Sequence, residues 1–252
     1  MRDGRRASEP SKASRDVSAD LTAGADAFPR CLPVGDRALL VEFSAAIDRR
    51  SHDRVVQLDA ALAAAPFDGF VEAVPAYASL LVCFDPLVVG HGAVEERLAA
   101  LMALGAGSRG AGRLREVEIC YDDDLAPDLA AAAQASGLTP QDVVTAHLSG
   151  EYDVAMYGFA PGYAYLAGVP EPIRLPRKQA AIRGVPAGSV VIAGPQCLVT
   201  TLAMPTGWWI IGRSPTRILR GEDADRPFLF DVGDRVRFRR IAREEFDARE
   251  TP

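Results

Sequence analysis

Hydrophobic and polar positions follow two different periods along this chain, and the change of period divides it. After a Gly35-Asp36 turn, Ala38–Phe43 reads A-L-L-V-E-F, an apolar strand. Between Ala46 and Ala65, Val55, Val56, Leu58, Leu62 and Ala65 recur at helical spacing with charges on the other side. Phe70–Pro75 and Ser79–Phe84 are two strands close enough to form a hairpin around Ala76–Ala78. Val94–Leu104 repeats the helical spacing, with Glu95, Glu96 and Arg97 on its wet side, and Leu114–Cys120 is a further strand. The order β-α-β-β-α-β is the split arrangement of a ferredoxin-like unit.

A helical stretch follows. Pro127–Ser136 is alanine-rich, Thr139 has the chemistry of an N-cap, and Pro140 suits the first helical position. That second helix runs to about Leu148 and stops at Gly150. From Tyr152 the period shortens. Strand-like runs at Val154–Tyr157, Ser189–Ala193, Cys197–Ala203, Trp208–Gly212, Phe228–Asp231 and Arg235–Arg239 are separated by Gly and Pro turns. Such spacing, with no long helix, predicts a closed or nearly closed antiparallel barrel. The expected class is α+β, with a disordered tail over 1–30 and a ferredoxin-like domain over 31–122. A helical connector over 123–150 and a barrel over 151–245 complete it.

Composition changes this picture little. A chain of 252 residues, 48% hydrophobic and 25% charged, can bury one large core or two ordinary ones. A formal charge of −6 argues against a general nucleic-acid binder but permits a local basic pocket. Cys31, Cys83, Cys120 and Cys197 are far apart, and His52, His91 and His147 are scattered, so no metal site is expected. Free thiols in a reducing compartment fit that usage. No apolar stretch follows Arg2, Arg5 and Arg6, and Ser8–Ala27 is a polar tail rather than a secretory signal. No run approaches the roughly 18 apolar residues of a membrane span, and a cytoplasmic protein is expected.

Several motifs fail on context. Gly105-x-Gly107-x-x-Gly110 spells a dinucleotide fingerprint but leaves a helix and enters a strand, the reverse of what phosphate binding needs, and reads as a flexible loop. There is no Walker A sequence, no G-x-S-x-G elbow and no Met-Lys-Met biotin site. The Gly158–Leu166 run, G-F-A-P-G-Y-A-Y-L, is the strongest local signal. Its glycines allow close backbone approach, and Tyr157, Phe159, Tyr163 and Tyr165 supply aromatic walls with hydroxyl handles. Residue types alone favour a structural turn there over a pocket. The positive run Arg174, Arg177, Lys178 and Arg183 reads first as a solvated face, whereas Arg213, at a strand end, is placed to clamp a carboxylate. His147 can serve a helix dipole or proton transfer, and the two readings are even. Trp208 and Trp209 point to opposite strand faces, one to the core and one to a pocket or partner.

Longer words carry a resemblance. G-D-R-A-L-L-V-E-F from Gly35, V-P-A-Y-A-S-L-L-V from Val74 and C-Y-D-D-D-L-A-P-D-L from Cys120 precede the Gly158 run. L-P-R, V-P-A-G-S-V, I-A-G-P-Q, I-G-R-S-P and V-G-D-R-V-R-F follow it. Together they resemble the family of 5-oxoprolinase B subunits, whose members also carry the labels allophanate hydrolase subunit 1 and Kip-type kinase inhibitor. The resemblance implies a ferredoxin-like domain followed by a cyclophilin-like barrel. It further implies pairing with homologues of the 5-oxoprolinase C and A subunits, and ATP with Mg shared with a partner subunit. The implied substrate is a small amide or lactam, 5-oxo-L-proline opened to glutamate, with no nucleic-acid or membrane partner. The alternatives are a regulator that inhibits a sensor histidine kinase and a carboxyltransferase component acting on a urea derivative. The chain departs from the family pattern at Ala181–Gly184, at Cys197–Thr201, around Met204–Trp208, and at Tyr163-Ala164-Tyr165. The expected site comprises His147 and Arg213 as catalytic groups, with Tyr157, Phe159, Tyr165, Arg177, Ser189 and Gln196 around the substrate.

Overall fold

The computed structural model describes residues 27–104, 112–122, 124–221 and 226–250. The Gly105–Gly110 match and most of the expected tail lie outside the described residues. The first unit comprises β1 (Arg30–Val34), β2 (Ala38–Glu42), α1 (Arg49–Ala64), β3 (Phe70–Pro75), β4 (Ser79–Phe84) and α2 (His91–Ala103). Its antiparallel sheet has the order β1-β2-β4-β3. Strand alternation sends Leu39, Val41, Leu80, Val82 and Phe84 to one face, where Val55, Leu58 and Leu62 of α1 and Val94, Leu98 and Leu101 of α2 cover them. The other face carries Leu32, Leu40, Leu81 and Val74 in one cross-strand row, partly exposed. Asp48 starts α1 by accepting from the Ser51 amide at 2.8 Å, and these hydrogen bonds hold its carboxyl below the usual range.

The strand expected to close this sheet does not join it. β5 (Leu114–Ile119) leaves for the second unit, and the fourth strand of the first sheet is β1, which the alternation did not reveal. The chain order is therefore β-β-α-β-β-α rather than β-α-β-β-α-β, and β1 takes the sheet edge expected for the closing strand. β1 reaches β2 across a short turn at a small loop-closure cost, so β2 already has its second neighbour. β5 pairs in parallel with a strand at the far end of the chain, burying Val117 and Ile119 in the other core.

The second unit continues with α3 (Leu129–Ser136), α4 (Pro140–Ser149), β6 (Tyr152–Tyr157), β7 (Ala164–Ala167), β8 (Ile182–Val185) and β9 (Ser189–Ala193). β10 (Gln196–Val199), β11 (Met204–Thr206), β12 (Trp209–Arg213), β13 (Arg235–Arg240) and α5 (Arg243–Glu250) complete it. Seven strands form one sheet in the order β12-β9-β10-β7-β6-β13-β5. Its two edges meet: Cys120 N–H donates to Arg213 O at 2.8 Å, and Arg213 N–H donates to Cys120 O at 2.9 Å. That pair draws the sheet into a nearly closed barrel. Gly212 permits the approach, because a Cβ there would lie 2.7 Å from Ile119 Cδ1 and 2.9 Å from Cys120 O. The run Phe228–Asp231, expected as a strand, makes only an isolated bridge with Leu219.

α3 and α4 are part of the barrel core rather than a connector. Leu129, Ala132, Ala133, Val143 and Val144 pack with Val154, Leu166, Val190, Ile192 and Phe238. α4 begins as the sequence predicts, with Thr139 as N-cap, Pro140 in the first turn and a reciprocal capping box to Asp142. The two units touch through Arg49, whose guanidinium reaches Glu151 and Asp153 at 3.5 Å each.

Candidate functional site

β9 is buried along its whole length, and this locates the site. Val190 and Ile192 face the barrel interior, while Val191 and Ala193 face outward into a second apolar cluster with Tyr163, Leu198, Trp208 and Ile210. β8 and β11 form a small two-stranded sheet whose Val185 and Met204 pack on that outer cluster. Between them lies a cavity of about 420 Å³. Its floor is Tyr165, Val191, Leu198 and Trp208, and its rim includes Phe159, Arg177, Lys178, Ala181 and Pro205–Gly207.

The Gly158 loop is pinned in place. Gly158 N–H donates to Tyr163 O at 3.2 Å, Tyr163 N–H to Ala160 O at 3.1 Å, and the Thr201 hydroxyl to Pro161 O at 2.6 Å. Within it Phe159 has φ 69° and its side chain is 72% exposed. A bulky residue in the left-handed region costs about 1–2 kcal/mol, so the surrounding bonds hold a strained aromatic at the cavity mouth. Its ring lies 5.7 Å from that of Tyr163.

The charged groups are ordered differently. The Arg177 guanidinium sits over the Trp208 ring at 5.7 Å, and Trp208 meets Tyr165 edge-on at 5.9 Å. Lys178 Nζ is bound to Asp128 Oδ2 at 2.5 Å, and that same oxygen accepts from Ile210 N–H at 2.7 Å. Asp128 therefore ties the lysine and β12 to the start of α3. Burial pushes the Tyr163 and Tyr165 hydroxyls up, with Arg177 opposing the shift at Tyr165. Both phenols are neutral near pH 7. The pocket thus offers an open guanidinium, a fixed ammonium, phenolic hydroxyls and flat aromatic walls, which suit a small planar anion.

The structure gathers Phe159, Tyr165 and Arg177 here and leaves the other five expected residues elsewhere. His147 is fully buried under the barrel, with Tyr121 Oη at 2.7 Å from Nδ1 and Cys197 Sγ at 3.6 Å from Nε2. Burial lowers its pKa to about 3, so it is neutral near pH 7, and it does not line this pocket. Arg213 closes the barrel seam through its backbone, its guanidinium pairs with Glu250 at 3.1 Å, and it does not line this pocket. The Tyr157 hydroxyl donates to Phe230 O at 2.9 Å and its ring stacks on Phe228 at 4.8 Å. The Ser189 hydroxyl donates to Pro186 O at 2.9 Å. Gln196 lies at the other end of β10, facing the Tyr77 hydroxyl without a well-formed hydrogen bond.

Tyr163, Lys178, Thr200 and Trp208 line the pocket and were not among the expected site residues. The Trp208-Trp209 alternation was the signal for one of them. Trp208 faces the pocket, while Trp209 packs on the barrel core and donates from Nε1 to Pro176 O at 2.7 Å. Ala181, Leu198, Thr200 and Pro205–Trp208 also belong to the segments where the chain departs from the family pattern, so those departures lie in the pocket wall. Among the described residues no group of three His, Cys, Asp or Glu is placed to hold a metal ion, and no helix is long and apolar enough to cross a membrane.

A nearly closed barrel with a pocket on its outer face is joined to a helix-covered sheet. Residues 29–230 match the family described as carboxyltransferase domain, subdomain C and D. The 5-oxoprolinase B subunit of Bacillus subtilis (strain 168) is 35% identical over 229 residues, 85% of this chain and 94% of that one. The chain belongs to this family, that of the 5-oxoprolinase B subunits. The solved structure of TTHA0988 is 33% identical with a TM-score of 0.72. The match covers 82% of this chain, which spans only 40% of that longer one. K. lactis urea amidolyase shares the fold at 18% identity and a TM-score of 0.69, over 86% of this chain and 15% of its own.

Proposed function

We propose that this chain is the B-type subunit of an ATP-dependent, multi-subunit amidohydrolase of the 5-oxoprolinase type, acting in the cytoplasm with homologues of the C and A subunits of that enzyme. Its barrel is then the cyclophilin-like one of that family. Two lines support the reading: membership of the family, and one site observation that carries it, the open Arg177 guanidinium stacked on Trp208 at the mouth of a 420 Å³ pocket. A small cyclic amide with a carboxylate fits that arrangement: the acid meets Arg177, and the flat ring lies along Tyr165 and Trp208.

In this reading Phe159, Tyr165 and Arg177 are substrate-binding residues. Arg177 holds the acid, Tyr163 and Tyr165 donate hydrogen bonds as neutral phenols, and Phe159 closes the mouth against water. ATP with Mg is shared with a partner subunit in this reading. The altered walls at 181 and 197–208 set which amide is accepted.

The test is co-purification with the neighbouring homologue of the C subunit, addition of the A subunit, and measurement of 5-oxoproline-dependent ATP hydrolysis with glutamate release. Coupled turnover supports the reading, and Arg177→Ala then raises KM about tenfold or more with a smaller change in kcat. A stable complex without turnover moves the substrate to another amide or a urea derivative. No complex at all, with inhibition of a sensor histidine kinase by the chain alone, replaces the enzyme reading with the regulatory one.

A further inference from the structure

The two units enclose a cleft that the barrel-face pocket does not include. A cavity of about 530 Å³ lies between the start of α1, the β3–β4 turn and the ends of β6 and β7. A second, of about 500 Å³, continues past Arg49, His52 and Asp153 toward the start of β13. His52 lines both and is only 5% exposed, yet neither ring nitrogen has a hydrogen-bond partner among the described residues. Tyr77 lines the first cavity and is 8% exposed, and its hydroxyl faces the Gln196 side chain without a well-formed hydrogen bond. Buried polar groups are nearly always satisfied, so two such groups in one cleft point to an occupant that satisfies them.

We propose that this cleft is a second small-molecule site and that its ligand is a small zwitterion of the α-amino acid type. Charges of both signs are set around the unpartnered groups. Arg174 donates from Nε to Val169 O at 2.7 Å, which fixes the plane of its fork. Its terminal nitrogens make no ion pair among the described residues, and that free edge matches a carboxylate. Across the cavity, Asp153 and Glu151 share Arg49 at 3.5 Å each, far looser than the 2.5 Å bond between Lys178 and Asp128. An ammonium group can join Asp153 without displacing a tight pair. His52 and Tyr77 then supply the remaining donors and acceptors, and Pro170 and Pro195 the apolar wall.

The cleft and the barrel-face pocket are neighbours. On β7, Tyr165 lines the pocket and Ala167 the cleft, two residues and about 7 Å apart on one strand face. The ligand class stands on the cleft alone, so amino-acid binding and lactam turnover fail independently of one another.

Calorimetric titration of the full chain with a panel of L-amino acids, each beside the same acid lacking its amino group, tests the inference. At least one amino acid binds tenfold or more tightly than its deaminated counterpart. Arg174→Ala weakens that binding at least tenfold and Tyr77→Phe about threefold, while Arg177→Ala in the other pocket leaves it unchanged. Equal binding of the amino and deaminated acids overturns the zwitterion. Loss on Arg177→Ala with no effect of Arg174→Ala overturns the location, and no binding by any amino acid overturns both.

Discussion

The two units solve the same problem, burying a sheet, in opposite ways. The N-terminal sheet covers one face with two helices and leaves the Leu32–Leu40–Leu81–Val74 row on the other partly open, with β1 and β3 as free edges. The barrel sheet curls until its edges meet at Cys120 and Arg213, and α3 and α4 stop its interior. Once no edge is left over, side chains on both faces of a strand can be fixed, as along β9. A pocket on such a wall is rigid, whereas the cleft beside the N-terminal unit depends on how two bodies meet through Arg49.

The largest expected separation between the units is in tolerance to lost volume. Leu166→Ala, inside a wall closed on all sides, costs about 4 kcal/mol, while Leu80→Ala beneath two movable helices sits nearer 2–3 kcal/mol. Urea titration of both variants measures it, and equal costs would erase the contrast. At the seam, Gly212→Ala forces a Cβ against Ile119 and the Cys120 carbonyl and costs about 3 kcal/mol.

Acid acts on the barrel through His147. The unfolded chain takes up a proton near pH 6.5, and folded His147 resists it down to about 3. The unfolded state thus binds more protons in that window, so stability falls as pH drops below 6.5 and keeps falling toward 3. Between pH 7 and pH 5 the loss is about 2 kcal/mol, and His147→Gln flattens it. Smallest of all is Gly35→Ala in the β1–β2 turn. It meets no atom within 4 Å, and only its φ of +60° makes a side chain costly, about 1 kcal/mol. Thermal melts in which Gly35→Ala lowers Tm more than Gly212→Ala would contradict the seam.

Local chemistry was legible in the sequence and partnership was not. Thr139, Pro140 and Gly150 bound α4 where capping rules put them, and the 3.6-residue stripe of α1 was plain. β1 was missed because R-C-L-P-V is short, carries a proline and lies on an edge. β5 looked like a closing strand because its alternation is the same whichever sheet it joins. At the site, the aromatic loop and Arg177 were readable as residue types. Tyr157, Ser189 and Gln196 are equally plausible pocket residue types, and their absence from this pocket depends on which strand face or strand end they occupy. His147 has the residue type of a catalyst, but its neighbours Tyr121 and Cys197 come from distant segments.

The parallel pairing of β5 with β13 also sets an order of events during synthesis. Arg113 N–H bonds to Asp234 across 121 residues, so the barrel lacks one wall until its last strand has been made. The N-terminal sheet and both its helices lie within residues 30–103 and can be complete long before. As the chain leaves the ribosome, a finished small unit therefore trails a barrel still open along β5, with the edge at residues 114–119 exposed. That waiting strand is the last edge of the barrel to be covered.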